Sequence, residues 1–177
     1  GRRCRRPAIP DTRALIFIHG PNGVGKSTVC RAVHHRLPHS AWLESEWCRM
    51  IHPFAWNEEI VALTIHNITH MLRGYLTCTW LDAVIFSYGF HGPRQQIWDT
   101  VLGNLQDTTY AFVPVTLICE EATHVLRMTR DGRDPGRIER ALATRPLYDA
   151  LPYPRIDTTH LTVDEIAGQV MALVQRG

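Results

Sequence analysis

Residues 20–28 read GPNGVGKST, and their types and spacing suit the binding of phosphate. Gly20, Gly25, Lys26 and Ser27 match the pattern Gly-x-x-x-x-Gly-Lys-Ser, in which glycines let several backbone amides point at one anion. Lys26 is the only lysine beside 18 arginines, and a compact ammonium fits between phosphate groups where a guanidinium fork is too broad. We therefore expect this loop to bind a nucleoside triphosphate, the alternative being a glycine-rich turn that matches by chance. The residues expected to bind the nucleotide here are Gly20, Asn22, Gly23, Val24, Gly25, Lys26, Ser27 and Thr28.

The elements that must position this loop follow from the hydrophobic pattern, in which short apolar runs alternate with amphipathic stretches. An apolar run at 14–19 leads into the loop, and a helix predicted at 27–37 follows it. Further strands are predicted at 41–44, 83–86, 110–119 and 155–157. Further helices are predicted at 57–77, 93–105, 121–130 and 137–144, and a last helix opens at the capping box of Thr162 and Glu165. This alternation predicts one α/β domain over residues 14–177, with a parallel sheet covered on both faces.

The formal net charge of +2 conceals an uneven distribution of charge. Residues 1–13 contain five arginines and one aspartate, whereas the rest of the chain carries more acidic than basic groups. We therefore expect residues 1–13 to be a basic, disordered leader, with an arm that contacts phosphate or RNA as the alternative. The body of the chain is not expected to bind nucleic acid.

The cysteine pattern and the hydropathy of the sequence indicate the cellular compartment in which we expect the protein. The five cysteines are scattered and form no CxxC pair, which argues against a disulfide framework or structural zinc and favours a reducing cytoplasm. No apolar run approaches the roughly 18 residues that span a membrane, and the N-terminal residues lack the apolar core of a secretory signal. We expect a cytoplasmic protein without a membrane partner, and the sequence predicts no oligomeric state.

The segments around the loop separate the classes of protein that use such a loop. The Asn-Lys-x-Asp motif of GTPases is absent, because the one lysine lies in the loop. The predicted third strand ends in Ser87 and Tyr88, without the acidic residue of motor ATPases. The second strand, AWLESEWCR, instead places Glu44 and Glu46 just past its end, which is typical of small kinases.

With these features the chain resembles the small P-loop kinases, such as shikimate and gluconate kinases and chloramphenicol phosphotransferase, and also the P-loop resistance proteins of the tunicamycin type. The resemblance spans residues 14–174 and implies a three-layer fold with a five-stranded parallel sheet in the order 2-3-1-4-5 and a helical lid. It also implies transfer of phosphate from ATP, with Mg²⁺, to a hydroxyl or phosphate group of a small molecule. ATP and this small acceptor are the expected partners.

The resemblance implies roles for side chains at the ends of the second and third strands. The family has Asp-x-Asp where this chain has Glu44 and Glu46, so Ser27 and Glu44 are expected on the metal side. Glu46 is expected to act as general base or acceptor anchor, and the alternative is two solvated glutamates. His91 could orient or deprotonate the acceptor, or it could simply cap the helix near Pro93.

The segment 127–145 corresponds to a mobile lid in the resembled kinases, and its arginines would stabilise the transferring phosphoryl group. Arg127, Arg133 and Arg137 are the candidates, and the alternative is a solvated helix pair in which arginines pair with nearby acids. The resemblance also places Asp157 and Thr158 near the adenine, although a strand-to-helix turn would explain both residues.

The aromatic residues after the second strand, Trp42, Trp47, Phe54 and Trp56, could form a wall for a planar acceptor or could pack in the core. Three other functions remain open, one of which is an RNA-end kinase that would use the arginines of residues 1–13. A nucleoside or nucleotide kinase would need an arginine clamp, for which Arg49 and Arg73 are the arginines between the second and third strands. A nucleotide-binding switch or resistance protein would hold its ligands without phosphoryl transfer.

Overall fold

The sheet has five parallel strands in the order β2-β3-β1-β4-β5, as the resemblance implied. The structure is a computed structural model that describes residues 12–90 and 92–176. The strands are β1 (Ala14–His19), β2 (Ser40–Glu44), β3 (Ala83–Tyr88), β4 (Ala111–Ile118) and β5 (Arg155–Asp157). The predicted fold class is therefore confirmed, while residues 1–11 of the expected leader lie outside the described part of the chain.

Seven helices are present in the described residues, and most begin and end within two or three residues of the predicted bounds. They are α1 (Lys26–Arg36), α2 (Glu58–Thr77), α3 (Arg94–Asn104), α4 (Glu121–Arg130), α5 (Pro135–Ala143), α6 (Arg145–Asp149) and α7 (Val163–Val174). Asn57 and Thr162 cap α2 and α7 as the sequence predicts, the latter with a complete capping box. The sequence did not predict α6 or the 3₁₀ turn Ser45–Arg49.

The helices cover both faces of the sheet. The side chains of β1 alternate between the two faces, and every residue of the strand is therefore buried. Ile16 and Ile18 pack on one side with α1 and α7. Leu15 and Phe17 pack on the other side with α2 and α3, where Phe17 stacks on Trp98 at 4.3 Å between ring centroids. Among the described residues, no helix is long and apolar enough to cross a membrane.

The parallel strands bring their carboxyl ends to one edge of the sheet, where the loops that follow them meet. The register aligns His19 of β1 with Tyr88 of β3 and with Thr116 of β4. It also aligns Glu44, the last residue of β2, with Ser87 of β3. Residues that lie far apart in the sequence are thereby gathered next to the glycine-rich loop.

Candidate functional site

The loop between β1 and α1 has the shape of an anion cradle. Gly23 and Gly25 have φ angles of +88° and +106°, which residues other than glycine rarely adopt. Gly25 caps α1, and no described side chain hydrogen-bonds to the first amides of that helix. Lys26 Nζ donates to the carbonyl oxygens of Gly20, at 2.9 Å, and Pro21, at 3.1 Å. Amides at the helix N-terminus and a neighbouring ammonium are what an anion requires.

Helix α4 braces this loop from the side. His124 is fully buried, and its Nε2 donates to the carbonyl of Asn22 at 2.7 Å. Its Nδ1 lies 3.4 Å from Nη1 of Arg145 on α6, so the two ring nitrogens connect the loop to the helices of the expected lid. Burial lowers the pKa of His124, which suits a neutral ring with one donor and one acceptor. The sequence reasoning missed His124, because its partner lies 102 residues away.

The surroundings of Lys26 shift its pKa in a direction that a bound anion would reverse. Burial lowers the pKa of Lys26 to about 8, although Glu46 and Glu44 act to raise it. Arg133 adds a like charge that lowers the pKa further. An incoming anion would therefore stabilise the ammonium form and raise this pKa again.

A cleft of about 600 Å³ lies over the cradle, and its walls carry oxygen ligands of the kind that Mg²⁺ prefers. The hydroxyl-bearing residues Ser27 and Thr28 are exposed, and both line the cleft. Glu44 is 6% exposed, and its Oε1 accepts a hydrogen bond from Trp42 Nε1 at 3.1 Å. Burial raises the pKa of Glu44, while the Ser87 and Ser27 side chains act in the opposite direction.

The donor set at this point fits a cation that is held partly by other oxygens. Within residues 12–90 and 92–176, no three histidine, cysteine, aspartate or glutamate side chains group closely enough to hold a metal by themselves. A cation beside Ser27 and Glu44 would therefore need water and phosphate oxygens to complete its coordination, which is how Mg²⁺ is usually held next to nucleotides.

Glu46 is engaged by two guanidinium groups. Its Oε1 lies 2.8 Å from Nη2 of Arg49 and 3.2 Å from Nη2 of Arg94, and its Oε2 accepts from Ser45 Oγ at 3.0 Å. Burial alone would raise the pKa of Glu46, but Arg49, the Ser45 hydroxyl and Lys26 together lower it. The carboxylate is thus a weak base and a well-fixed hydrogen-bond acceptor.

Arg94, which the sequence analysis did not single out, is 4% exposed. Its Nη1 donates to the carbonyl of Gly89, and its Nε has no partner among the described residues. Arg73, the second arginine considered for a clamp, lies elsewhere and pairs with Asp107 at 2.7 Å. The arginines at Glu46 therefore come from the 3₁₀ turn and from α3.

The four candidate aromatic residues, one in β2 and three after it, lie in two places. Trp42 and Trp47 pack together at 5.4 Å between ring centroids, and both line the cleft over the cradle. Phe54 and Trp56 meet edge to face at 5.0 Å, and the guanidinium of Arg49 lies over both rings. Trp56 faces a second cavity, of about 690 Å³, so these residues do not form one continuous wall.

The three candidate lid arginines also lie in different surroundings. Arg127 donates to Val24 O at 3.3 Å, to Thr158 Oγ1 at 2.8 Å and to Thr158 O at 2.7 Å. Arg133 lines both the cleft and the second cavity. Arg137 lines the second cavity alone and pairs with Asp134 at 3.4 Å. His91, the remaining catalytic candidate, lies outside the described residues.

The segment after β5 organises a third, smaller cavity. Asp157 Oδ1 accepts from the backbone N and the hydroxyl of Thr159, which lowers the pKa of Asp157, and the charge of Arg127 lowers it further. Asp157 also lines a separate pocket of about 240 Å³. Thr158 is buried, bonds to the carbonyl of Ile118 and holds Arg127. A cavity of about 230 Å³ lies between the loop and α7, and its lining includes Thr28, Arg127, Leu161, Val163 and Ile166.

Comparison with known proteins shows similarity to P-loop kinases in structure. No protein-family model and no curated protein matches the chain. The tunicamycin resistance protein of Deinococcus radiodurans is 23% identical over 92% of this chain and 95% of its own, with a TM-score of 0.63. Shikimate kinase from Acinetobacter baumannii, solved with shikimate, is 18% identical over 94% and 95% of the two chains, with a TM-score of 0.63.

The APS kinase of Mycobacterium tuberculosis, solved with AMPPNP and APS, is 16% identical over 94% of this chain and 99% of its own, with a TM-score of 0.59. A gluconokinase from Sinorhizobium meliloti and a sugar kinase from Janibacter are also among the similar structures. The parallel sheet in the order 2-3-1-4-5, the cradle after β1 and these likenesses together lead to one conclusion. The chain has the fold of the P-loop small-molecule kinases.

Proposed function

We propose that the protein transfers the γ-phosphoryl group of ATP to a hydroxyl or phosphate group of a small molecule. One observation carries this proposal: the carbonyl oxygens of Gly20 and Pro21 hold Lys26 Nζ within the glycine-rich loop, and Lys26 lines the same cleft as Ser27, Glu44 and Glu46. The cradle suits a polyphosphate, and the carboxylates beside it suit the groups that react with one. The similar structures support this proposal, since they include kinases that act on small molecules.

The proposed nucleotide position follows from the cavities around the loop. The β- and γ-phosphates would lie over residues 20–28, with Lys26 beside them and Thr28 near the α-phosphate. The adenine would occupy the cavity of about 230 Å³ between the loop and α7, where Arg127 and Leu161 offer a flat cation and an apolar face. In this arrangement Thr158 acts through Arg127, and Asp157 shapes the turn.

Ser27 and Glu44 are the proposed holders of Mg²⁺. A bound Mg²⁺ supplies positive charge that offsets the negative charge on the phosphate oxygens. Glu44 suits this role because its register position beside Ser87 fixes the carboxylate at the end of two neighbouring strands. Trp42 holds one carboxylate oxygen in place through its indole N–H.

In the transfer itself, an acceptor oxygen forms a bond to the γ-phosphorus while the bond from that phosphorus to the bridging oxygen breaks, and ADP leaves. The hydroxyl proton of the acceptor passes to a carboxylate or to water. Glu46 serves best as an anchor that accepts a hydrogen bond from the acceptor hydroxyl, since Arg49, the Ser45 hydroxyl and Lys26 lower its pKa and keep it ionised. Arg133 faces the cleft and would stabilise charge on the transferring group. A role for His91 stays a prediction.

The experiment has two stages. Calorimetric titration of AMPPNP with Mg²⁺ should show saturable binding that weakens roughly tenfold or more in Lys26→Ala, because a hydrogen-bonded charge pair is lost. Lys26→Arg should weaken AMPPNP binding to a similar degree, because the guanidinium keeps the charge but is too broad to fit between the phosphate groups. Arg176→Gln, an exposed site outside these cavities, is the control. Unchanged affinity in both Lys26 variants would contradict the assignment.

The second stage tests transfer. ATP and Mg²⁺ are incubated with a panel of hydroxylated and phosphorylated small molecules, and ADP should form only when an acceptor is present. The engagement of both Glu46 oxygens favours a second candidate, a nucleotide-binding protein that holds its ligands without transfer. That candidate predicts nucleotide binding with no acceptor-dependent ADP for any member of the panel.

A further inference from the structure

The second cavity, of about 690 Å³, carries a charge that nucleotide binding does not explain. Its lining includes Arg133, Arg137 and Arg140, and no acidic residue is among the described residues that line it. Trp56 contributes a flat apolar face. Three guanidinium groups around one concave space concentrate a positive potential there and favour anions.

The cleft over the cradle is different, because its charges are matched. Its basic residues are Lys26, Arg31 and Arg133, and its acidic residues are Glu44, Glu46 and Asp131. A polyphosphate with its cation can be held there without a further excess of arginine. Arg137 and Arg140 line only the second cavity, so their charge is directed at something other than the nucleotide.

These two arginines are also poorly neutralised by the protein itself. Arg137 pairs with Asp134 at 3.4 Å, but the two side chains are 67% and 61% exposed, and such surface pairs contribute little. Within the described residues, Arg133 and Arg140 form no ion pair. A guanidinium without a partner is ready to bind a carboxylate, phosphate or sulfate through two parallel hydrogen bonds.

The cavity is placed to hold the acceptor. It shares Asn22 and Arg133 with the cleft over the cradle, so the two spaces meet at the loop. A molecule in the second cavity could therefore present one group towards the transferring phosphate and another towards Arg137 and Arg140. Trp56 would lie beside its body.

We propose that the acceptor is an anionic molecule whose own carboxylate, phosphate or sulfate group is bound by Arg137 and Arg140, with a planar or apolar body beside Trp56. This inference rests on the proposed function and deepens it by naming the substrate class. It assigns Arg137 to acceptor binding, which differs from the contact with the transferring phosphoryl group expected from the sequence.

The test compares three probes that share a phenyl ring and differ in the group attached to it. Protein saturated with Mg²⁺ and AMPPNP, so that the cradle is filled, is titrated calorimetrically with phenyl phosphate, benzoate and phenol. At least one of the two anions should bind, and phenol should bind at least roughly tenfold more weakly, because it lacks the charge-assisted hydrogen bonds. The tighter of phenyl phosphate and benzoate identifies the kind of anion.

The variants locate the binding. Arg137→Gln/Arg140→Gln should weaken the anion probe roughly tenfold or more while leaving AMPPNP affinity unchanged. Arg130→Gln removes one positive charge from an exposed position on α4 that lines none of these cavities, and it should leave probe affinity unchanged. Absence of anion binding, equal binding of phenol, or an equal effect of Arg130→Gln would overturn the inference.

The two proposals fail separately. If AMPPNP does not bind, the proposed function fails, and the same titrations on nucleotide-free protein decide the anion site through the double variant. If AMPPNP binds and the anion probe is unaffected by Arg137→Gln/Arg140→Gln, the acceptor class is wrong and the nucleotide site stands.

Discussion

Gly23→Ala tests the contact between the cradle and α4. A Cβ atom at Gly23 would lie 2.4 Å from Met128 Cγ and 2.9 Å from its Sδ, whereas carbons in contact lie about 3.5–4.0 Å apart. The Met128 side chain, which is fully buried, must therefore move by about 1 Å. Overpacking of this kind costs about 1–3 kcal/mol, and an alanine at positive φ costs about 1–2 kcal/mol. We expect the free energy of unfolding to fall by about 2–5 kcal/mol.

A double-mutant cycle in urea, on nucleotide-free protein, separates the contact from the strain. Met128→Ala alone leaves a cavity and costs about 2–5 kcal/mol. In the double variant Gly23→Ala/Met128→Ala, the free energy of unfolding should fall by at least about 1 kcal/mol less than the sum of the two single losses, because the new methyl group occupies part of that cavity. Gly25→Ala is the matched control, since Gly25 has φ +106° but no atom within 4 Å of its Cβ position. Additive losses for Gly23→Ala and Met128→Ala would refute the packing argument.

Three further outcomes are expected. Thr158→Val keeps the shape of the side chain but removes one of the two acceptors of Arg127 Nη1, so calorimetry should show AMPPNP affinity falling roughly tenfold. Unchanged affinity would mean that Arg127 does not shape the proposed adenine cavity. The pKa of Lys26 is about 8 before binding, and the phosphates of AMPPNP should raise it, so the protein should take up a proton when it binds AMPPNP at pH 8.5. Calorimetry would show this uptake as a binding heat that depends on the ionisation heat of the buffer. Lys26→Met should abolish the uptake. Glu46→Gln should lower the free energy of unfolding in urea by about 1–2 kcal/mol, because buried Arg94 loses its carboxylate; equal stability would show that this pair is unimportant.

The succession of strands and helices along the chain could be predicted from the sequence because local signals determine it, whereas the order of the strands in the sheet came from the resemblance to small P-loop kinases. The apolar run of β1 is buried on both faces, as its composition indicates, and the glycine loop follows at the predicted place. Asn57 and Thr162 are caps with their own hydrogen bonds, so they mark helix starts that a reader of the sequence can recognise. Helix α6 was missed because it has only five residues and follows α5 at Thr144.

The contacts of the site could not be predicted in the same way. His124 meets Asn22 across 102 positions, and Arg94 meets Glu46 across 48, and neither pairing leaves a local pattern in the sequence. A surplus of arginine made six arginines of the expected lid segment look alike. The structure distinguishes three of them. Arg127 bonds to Thr158 after β5, Arg133 lines the cleft over the cradle, and Arg137 lines only the second cavity.

The most direct test of the central claim is a crystal structure with Mg²⁺ and AMPPNP at saturating concentration. We expect the triphosphate over residues 20–28, with Lys26 Nζ transferred from the carbonyls of Gly20 and Pro21 to phosphate oxygens. Nucleotide bound elsewhere, or an empty loop in which Lys26 still bonds to those two carbonyls, would contradict the account.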